Sequence, residues 1–167
     1  MYGDIILSGN YQAWLPINGF APPGLEFLAS SPYGTVTVPA TLPTAICTGA
    51  VDAGNGSLYP DSSWGPNRSN FIVPTLIAPG VDVAGFYPYG EGTMSGTSVA
   101  CAITAGAAAL MLEWGIVRKN DISLSTYQIK AYMVRGCRRS EGLTYPNVRT
   151  GYGELDLAES FRIMRNV

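Results

Sequence analysis

The stretch Thr93-Met94-Ser95-Gly96-Thr97-Ser98-Val99-Ala100 decides the fold. Glycine, serine and threonine lead into Ser98, and a nearly uncharged, alanine-rich segment follows at 99–112. This pattern predicts a loop that delivers a serine to the first turn of a buried helix. A helix N-terminus has unpaired N–H groups and the positive end of the helix dipole. Ser98 is therefore either a structural N-cap or a nucleophile whose oxyanion those N–H groups hold.

The composition is that of a chain that buries much of its surface. Of its 167 residues, 47% are hydrophobic and only 13% are charged, and this length suits one compact domain with a sizeable core. Ten basic and 12 acidic residues give a net charge of -2 without a block of either sign, which argues against a nucleic-acid partner. Twenty glycines and 12 prolines predict many tight turns rather than a helical bundle.

The three cysteines, Cys47, Cys101 and Cys137, are widely spaced and form no CxxC motif. This spacing fits neither a disulfide framework nor a zinc site, and we expect free, mostly buried thiols. The sequence shows no cluster of metal ligands, and we expect no metal and no cofactor.

Nothing in the sequence predicts a targeting or membrane segment. No basic segment followed by an apolar run marks a signal peptide at the N-terminus. Residues 92–112 carry no charge, but their apolar part is only as long as a buried core helix, about 10–14 residues. We therefore expect no membrane partner.

The chain contains no histidine. A serine hydroxyl is a weak nucleophile and needs an adjacent general base. If Ser98 is a nucleophile, its base must come from outside this chain.

Short apolar runs dominate the first half of the chain and helical periodicity dominates the second. We predict a hairpin from residues 2–7 and 11–15, a Pro- and Gly-rich connection at 16–32, and strands at 35–38, 45–51 and 81–86. Helices are predicted at 98–114, 125–135 and 155–164, the second with Ser125 as N-cap and Gly136 as stop. The first helix is apolar nearly all round and is expected to be central and buried. The order of elements indicates a mixed α/β domain that contains one end of a larger sheet.

Gly96-Thr97-Ser98-Val99-Ala100, followed by Ala105-Gly106, resembles the nucleophile motif of the subtilisin-like serine proteases, the subtilases of peptidase family S8. Further segments similar to that family occur in the family's order: Ala50-Val51-Asp52, Ser62-Ser63-Trp64-Gly65-Pro66, Ile77-Ala78-Pro79-Gly80-Val81 and Gly151-Tyr152-Gly153-Glu154-Leu155-Asp156. The resemblance covers about residues 35–165. It implies the C-terminal part of a three-layer α/β domain with a mostly parallel sheet.

A narrower resemblance is carried by residues 13–17, 111–117 and 120–121. These segments are similar to the clostridial, germination-protease type of subtilase, in which a β-rich insertion interrupts the catalytic domain. The resemblance implies that residues 1–32 are the tail of the insertion with its connection. Residues 33–167 would then be the C-terminal part of the catalytic domain.

The resemblance also implies a mechanism. A subtilase uses Asp, His and Ser in that chain order, so Ser98 takes the nucleophile position in a loop with Gly96 and Thr97. The Ser98 backbone N–H would be one oxyanion donor. The acid, the base and the side-chain oxyanion donor would lie upstream, and we expect two partners: a polypeptide substrate and the missing N-terminal part of the same protease domain. The chain alone is expected to be inactive.

Departures from the family pattern keep alternatives open. Ala102 and Ile103 stand where the family usually has proline and often has histidine, and Thr75 replaces a common acidic residue. A pseudoprotease or protein-binding module of the same fold is therefore an alternative. An unrelated α/β module in which Ser98 only caps a helix is another.

Two aspartates and one tryptophan are predicted to have structural rather than catalytic roles. Asp52 and Asp82 follow apolar runs and are predicted to be turn residues rather than triad acids. Trp64 is predicted to fill the core.

Overall fold

The computed structural model describes residues 12–16, 20–66 and 71–166. The chain divides into two compact units, Met1–Ser31 and Pro32–Val167. The described residues of the first unit form turns and irregular segments. The predicted hairpin falls largely outside the described residues. The assignment of 1–32 to an inserted domain and 33–167 to a catalytic part stays a prediction.

The second unit is built on a short parallel sheet. Strand β1 (Thr48–Val51) pairs with strand β2 (Leu76–Pro79), and Ala50 lies opposite Ala78. Both strands are almost continuously buried, as is typical of parallel strands that are covered on both faces. Beyond β2 the sheet continues as an isolated parallel bridge between Ile77 and Glu154.

An antiparallel hairpin follows the sheet. Strand β3 (Val83–Tyr87) pairs with strand β4 (Gly90–Met94), and Val83 lies opposite Met94. The strand predicted at 81–86 therefore begins two residues later and ends one residue later. The second strand was not predicted, because its sequence, GEGTM, has little strand propensity of its own.

Three α-helices complete the unit: α1 (Thr97–Leu112), α2 (Thr126–Gly136) and α3 (Leu157–Arg165). A π-helical turn, Glu113–Val117, continues α1. Helix α1 packs on β1 and β2, and α2 packs on α3. The main core cluster contains Leu76, Ala107, Met111, Leu124, Ile129, Tyr132, Met133, Cys137 and Met164.

Helix α1 is buried on one face only. Its buried residues are Ala100, Thr104, Ala107 and Met111, which recur every three or four positions on the side that faces the sheet. Leu110, on another face, is 54% exposed. The prediction of a helix buried all round is wrong for this chain, because its described part provides a layer on one side of α1 alone.

One helical segment in the described part of the chain, Thr97–Val117, is long and apolar enough to cross a membrane by length and composition. An 18-residue window within this 21-residue segment reaches a mean hydropathy of 1.7. The core helix of a soluble protein has the same length and composition, and α1 packs on β1 and β2.

The predicted N-cap of α2 is confirmed. The Ser125 hydroxyl accepts the Gln128 N–H at 3.4 Å, and the Gln128 side chain accepts the Ser125 N–H at 2.8 Å, which completes a capping box. The helix ends at Gly136 as predicted, but Gly136 is its last residue rather than the residue that follows it. A Cβ at Gly136 would lie 2.5 Å from the Ser160 Oγ and 2.8 Å from the Ser160 Cα, so glycine is needed here for the close approach of α3.

The strand predicted at 35–38 is wrong. The Thr35 N–H donates to the Trp64 carbonyl at 3.1 Å, and the only neighbouring pairing in the described residues is an isolated bridge between Tyr33 and Trp64. The Thr35 hydroxyl also accepts the Trp64 N–H at 3.1 Å. Side-chain hydrogen bonds of this kind compete with a regular ladder.

Trp64 does not lie in the core. Tyr33 meets its ring edge-on with centroids 5.3 Å apart, and the Arg149 guanidinium lies 4.5 Å from the ring centroid. Trp64 is half-buried. It is covered by a second aromatic ring and a cation, and the main core cluster does not include it.

Candidate active site

The carboxyl ends of β1 and β2 meet the start of α1 at Gly80. The Gly80 N–H donates to the Val51 carbonyl at 2.9 Å, and the Gly80 carbonyl accepts the Gly96 N–H at 2.7 Å. A Cβ at Gly80 would lie 2.7 Å from the Ala50 Cβ and 3.1 Å from the Ala100 Cβ. Glycine therefore lets the helix start rest directly on the strand ends, where ligands bind in open α/β sheets.

Gly96 is the N-cap of α1, with φ 147° and ψ 162°. This backbone conformation is essentially restricted to glycine. The Gly96 carbonyl accepts the N–H groups of Val99 at 3.1 Å and Ala100 at 3.3 Å, which closes the first turn. Ser98 is thus the second residue of the helix and not its cap, and no side chain caps α1.

Ser98 lies exposed in that first turn. Within the described residues, neither its hydroxyl nor its backbone N–H makes a hydrogen bond. The first turn of α1 carries no acidic residue, so no side chain there neutralises the positive end of the helix dipole. Ser98 thus presents a free hydroxyl and a free N–H donor at an electropositive helix end, an arrangement that can stabilise a developing oxyanion.

The two aspartates follow the ends of different strands. The Asp52 carboxylate accepts the Gly54 N–H at 2.8 Å and the Asn55 side chain at 2.7 Å, which is a turn interaction. Asp82 lies in a bend with φ 49° and contacts Ser95, three residues before Ser98. The structure therefore places Asp82, and not Asp52, against the loop that leads to Ser98. This contact was not predicted, because the only local signal for it is the tolerance of aspartate for positive φ.

A small cavity of about 90 Å³ with a mixed polar and apolar lining adjoins the nucleophile loop at Thr97. Its other lining residues are Val36, Thr37, Ala40, Cys47, Thr48, Gly49, Ser62, Ser63 and Pro74. The Thr48 hydroxyl is buried and has no hydrogen-bond partner in the described part of the chain. Buried polar atoms are normally paired, so Thr48 marks a place where a polar partner would fit.

The two buried thiols are poor alternatives to Ser98 as nucleophiles. All three cysteines are free; Cys47 and Cys137 are buried, as expected, and Cys101 is exposed. Burial raises the pKa of the Cys47 thiol, and it raises the pKa of Cys137 to about 11. The thiolate is the reactive form, so both buried thiols are unreactive near neutral pH. In residues 12–16, 20–66 and 71–166, no group of His, Cys, Asp and Glu is placed to hold a metal ion.

One known protein family matches most of the chain. The Peptidase_S8 model of the subtilase family matches residues 8–153, so the chain belongs to the subtilase family. The family inferred from the Ser98 motif is therefore confirmed. Among curated protein sequences, none matches the chain.

Solved structures agree with this assignment. The CspB protease of Clostridium perfringens is 36% identical with a TM-score of 0.80, and the match covers 84% of this chain and 31% of CspB. The patellamide maturation protease PatA is 26% identical with a TM-score of 0.67, covering 81% of this chain and 48% of PatA. The prenylagaramide maturation protease PagA is 29% identical with a TM-score of 0.63, covering 78% of this chain and 46% of PagA.

Each match covers less than half of the solved chain. The predicted fold, an α/β domain of the subtilisin type with a parallel sheet, is confirmed. The chain corresponds to the C-terminal portion of such a domain.

Proposed function

We propose that this chain is the nucleophile-bearing part of a serine endopeptidase. The observation that carries the proposal is the state of Ser98 at the second residue of α1: its hydroxyl is exposed, and neither the hydroxyl nor the backbone N–H is hydrogen-bonded to any residue that the structure describes. Membership of the subtilase family supports the same assignment. Gly96 and Thr97 form the loop that presents Ser98.

The proposed reaction follows from these groups. The Ser98 Oγ attacks the carbonyl carbon of a peptide bond and gives its proton to a general base, and the carbonyl oxygen becomes an oxyanion that accepts the Ser98 N–H. Collapse of this intermediate breaks the C–N bond, and the base returns the proton to the leaving amine. Water then hydrolyses the acyl-enzyme in the same way. The substrate is a polypeptide.

The base, a histidine in this family, is not in the chain. We therefore propose that the other triad members are supplied by the remaining part of the protease domain, and that the isolated chain is inactive. Two features support such a partner. Large apolar side chains of α1 and its π-helical extension lie exposed, with Leu110 at 54% and Val117 at 70%, and the buried Thr48 hydroxyl has no hydrogen-bond partner among the described residues.

Fluorophosphonate labelling of the complete protein tests the nucleophile. We expect the complete protein to be labelled, the Ser98→Ala variant to lose labelling, and the isolated chain to remain unlabelled, because a serine without its base is a poor nucleophile. Ser140→Ala is the matched control, since Ser140 is also exposed and lies outside the α1 loop. Equal labelling of wild type and Ser98→Ala would remove Ser98 from the proposed role.

We infer a second candidate function, a pseudoprotease that binds a protein partner, from the departures from the family pattern after Ser98. Ala102, at the position where the family usually has proline, lies in a regular helical turn of α1. A complete protein that folds, binds polypeptide and resists labelling would support the pseudoprotease and exclude the enzyme.

A further inference from the structure

Asp82 and Ser95 form a reciprocal pair at the base of the β3–β4 hairpin. The Asp82 N–H donates to the Ser95 Oγ at 2.8 Å, and the Ser95 hydroxyl donates to the Asp82 carboxylate at 3.3 Å. The pair continues the hairpin by one step, because Val83 and Met94 are the last paired residues of the two strands. The pair therefore lies at the open end of the hairpin, where the chain leaves β4 and continues towards Ser98.

Asp82 adopts a backbone conformation that most side chains avoid. Its φ of 49° lies in the left-handed region, where a residue other than glycine persists when surrounding interactions hold it. Aspartate tolerates this region better than most residues because its short polar side chain makes local hydrogen bonds. The two hydrogen bonds to Ser95 supply such interactions.

A second hydrogen bond joins the segments that contain Asp82 and Ser95. Gly96 follows Ser95, and its N–H donates to the Gly80 carbonyl at 2.7 Å. Segments 80–82 and 95–96 are thus joined at two neighbouring points, immediately before the first turn of α1.

Ser98 needs this support because little else orients it. No hydrogen bond holds its hydroxyl or its N–H in the described residues, and no side chain caps α1. Helix ends fray, and Gly96 contributes a flexible backbone at the junction. The direction of Ser98 therefore depends on how firmly the chain is held just before Gly96.

We propose that Asp82 and Ser95 are positioning residues that aim the Ser98 nucleophile by fixing the entry of α1. The proposal deepens the proposed protease function and rests on it for its catalytic consequence. Its structural consequence, an ordered first turn of α1, is independent of catalysis. The two consequences are measured separately.

The test uses the complete protein and two readouts. The first is amide hydrogen exchange at Val99 and Ala100, whose N–H groups bond to the Gly96 carbonyl. We expect Ser95→Ala to speed exchange at both amides by about tenfold, since local opening sets exchange in such a turn. The second readout is the rate of fluorophosphonate labelling. We expect it to fall by about tenfold, because small misplacements of a reacting group are costly.

Two further variants separate positioning from general stability. Ser95→Thr keeps the hydroxyl, and we expect it to restore both rates to within about twofold of wild type. Ser123→Ala is the matched control, because the Ser123 hydroxyl donates to the Asp121 carboxylate at 2.7 Å in a turn before α2. We expect Ser123→Ala to leave both readouts unchanged.

Three results would overturn the positioning role: unchanged exchange at Val99 and Ala100 in Ser95→Ala, failure of Ser95→Thr to restore exchange, or an equal effect of Ser123→Ala. A complete protein that takes no label would remove the protease function. The exchange measurements would still decide whether the pair orders the start of α1.

Discussion

At the scale of single residues, Gly96 carries the strictest requirement in the site. Its φ of 147° is one that a residue with a Cβ rarely adopts. We expect Gly96→Ala to lower the free energy of unfolding by about 1–3 kcal/mol and to abolish labelling of Ser98 in the complete protein. Urea denaturation measures the first effect.

The control for this change is Gly106→Ala. Gly106 lies within α1, and outside the helix's own backbone a Cβ there would meet no described atom within 4 Å. The same substitution should therefore stabilise the helix, by about 0.5–1 kcal/mol. Loss of stability in Gly106→Ala equal to that in Gly96→Ala would show that backbone conformation is not the cause.

Cys137 gives a prediction about alkaline pH. Burial raises its pKa from 9.0 to about 11, so the unfolded chain releases this proton at lower pH than the folded chain. The contribution to stability is complete below pH 9 and is lost as pH rises towards 11, by about 2–3 kcal/mol.

The Cys137→Ala variant isolates this effect. We expect wild type to lose its stability advantage over Cys137→Ala between pH 8 and pH 11 in urea denaturation. A difference in unfolding free energy that stays constant over this range would contradict the assignment.

At the scale of elements, the capping box of α2 should be measurable. Ser125→Ala removes the acceptor for the Gln128 N–H and should cost about 1 kcal/mol in unfolding free energy. Ser125→Thr retains a hydroxyl and should recover most of this loss. An equal loss in both variants would contradict the cap.

The elements also show where sequence is informative. The start of α1 and the cap of α2 were predictable because local chemistry fixes them: glycine and hydroxyl residues before an alanine run, and serine three residues before glutamine. The presence of strand β4 and the absence of a strand at 35–38 were not predictable, because strand formation depends on which segment lies alongside. The sequence of β4 is weak, but β3 pairs with all five of its residues.

The candidate site divides in the same way. Ser98, Gly96 and Thr97 were identified from a contiguous motif that resembles a family. The pairing of Asp82 with Ser95 was not identified, because the two residues are separated by the whole hairpin and only its folding brings them together.

At the scale of the whole molecule, the exposed face of α1 follows from the proposed partnership with the rest of the domain. Cys101 lies exposed on α1 in this chain. Because Cys101 is exposed, its alkylation should be fast in the isolated chain. In the complete protein, the remaining part of the domain is proposed to cover the helix and to slow this reaction. We expect it to be at least about tenfold slower in the complete protein, since local opening would then limit access.

Cys137 and Cys47 provide the internal comparison for this measurement. Both are buried within the chain itself and should resist alkylation in both forms until the protein is unfolded. Equal alkylation rates of Cys101 in the isolated chain and the complete protein would mean that nothing covers α1 there.

We propose Ser98 as the nucleophile of a serine protease. Mass-spectrometric mapping of the fluorophosphonate adduct, after digestion of the labelled complete protein, tests this role. We predict a single adduct on Ser98, which vanishes in Ser98→Ala. An adduct on another residue, or none on a folded complete protein that contains the family's aspartate and histidine, would contradict the claim.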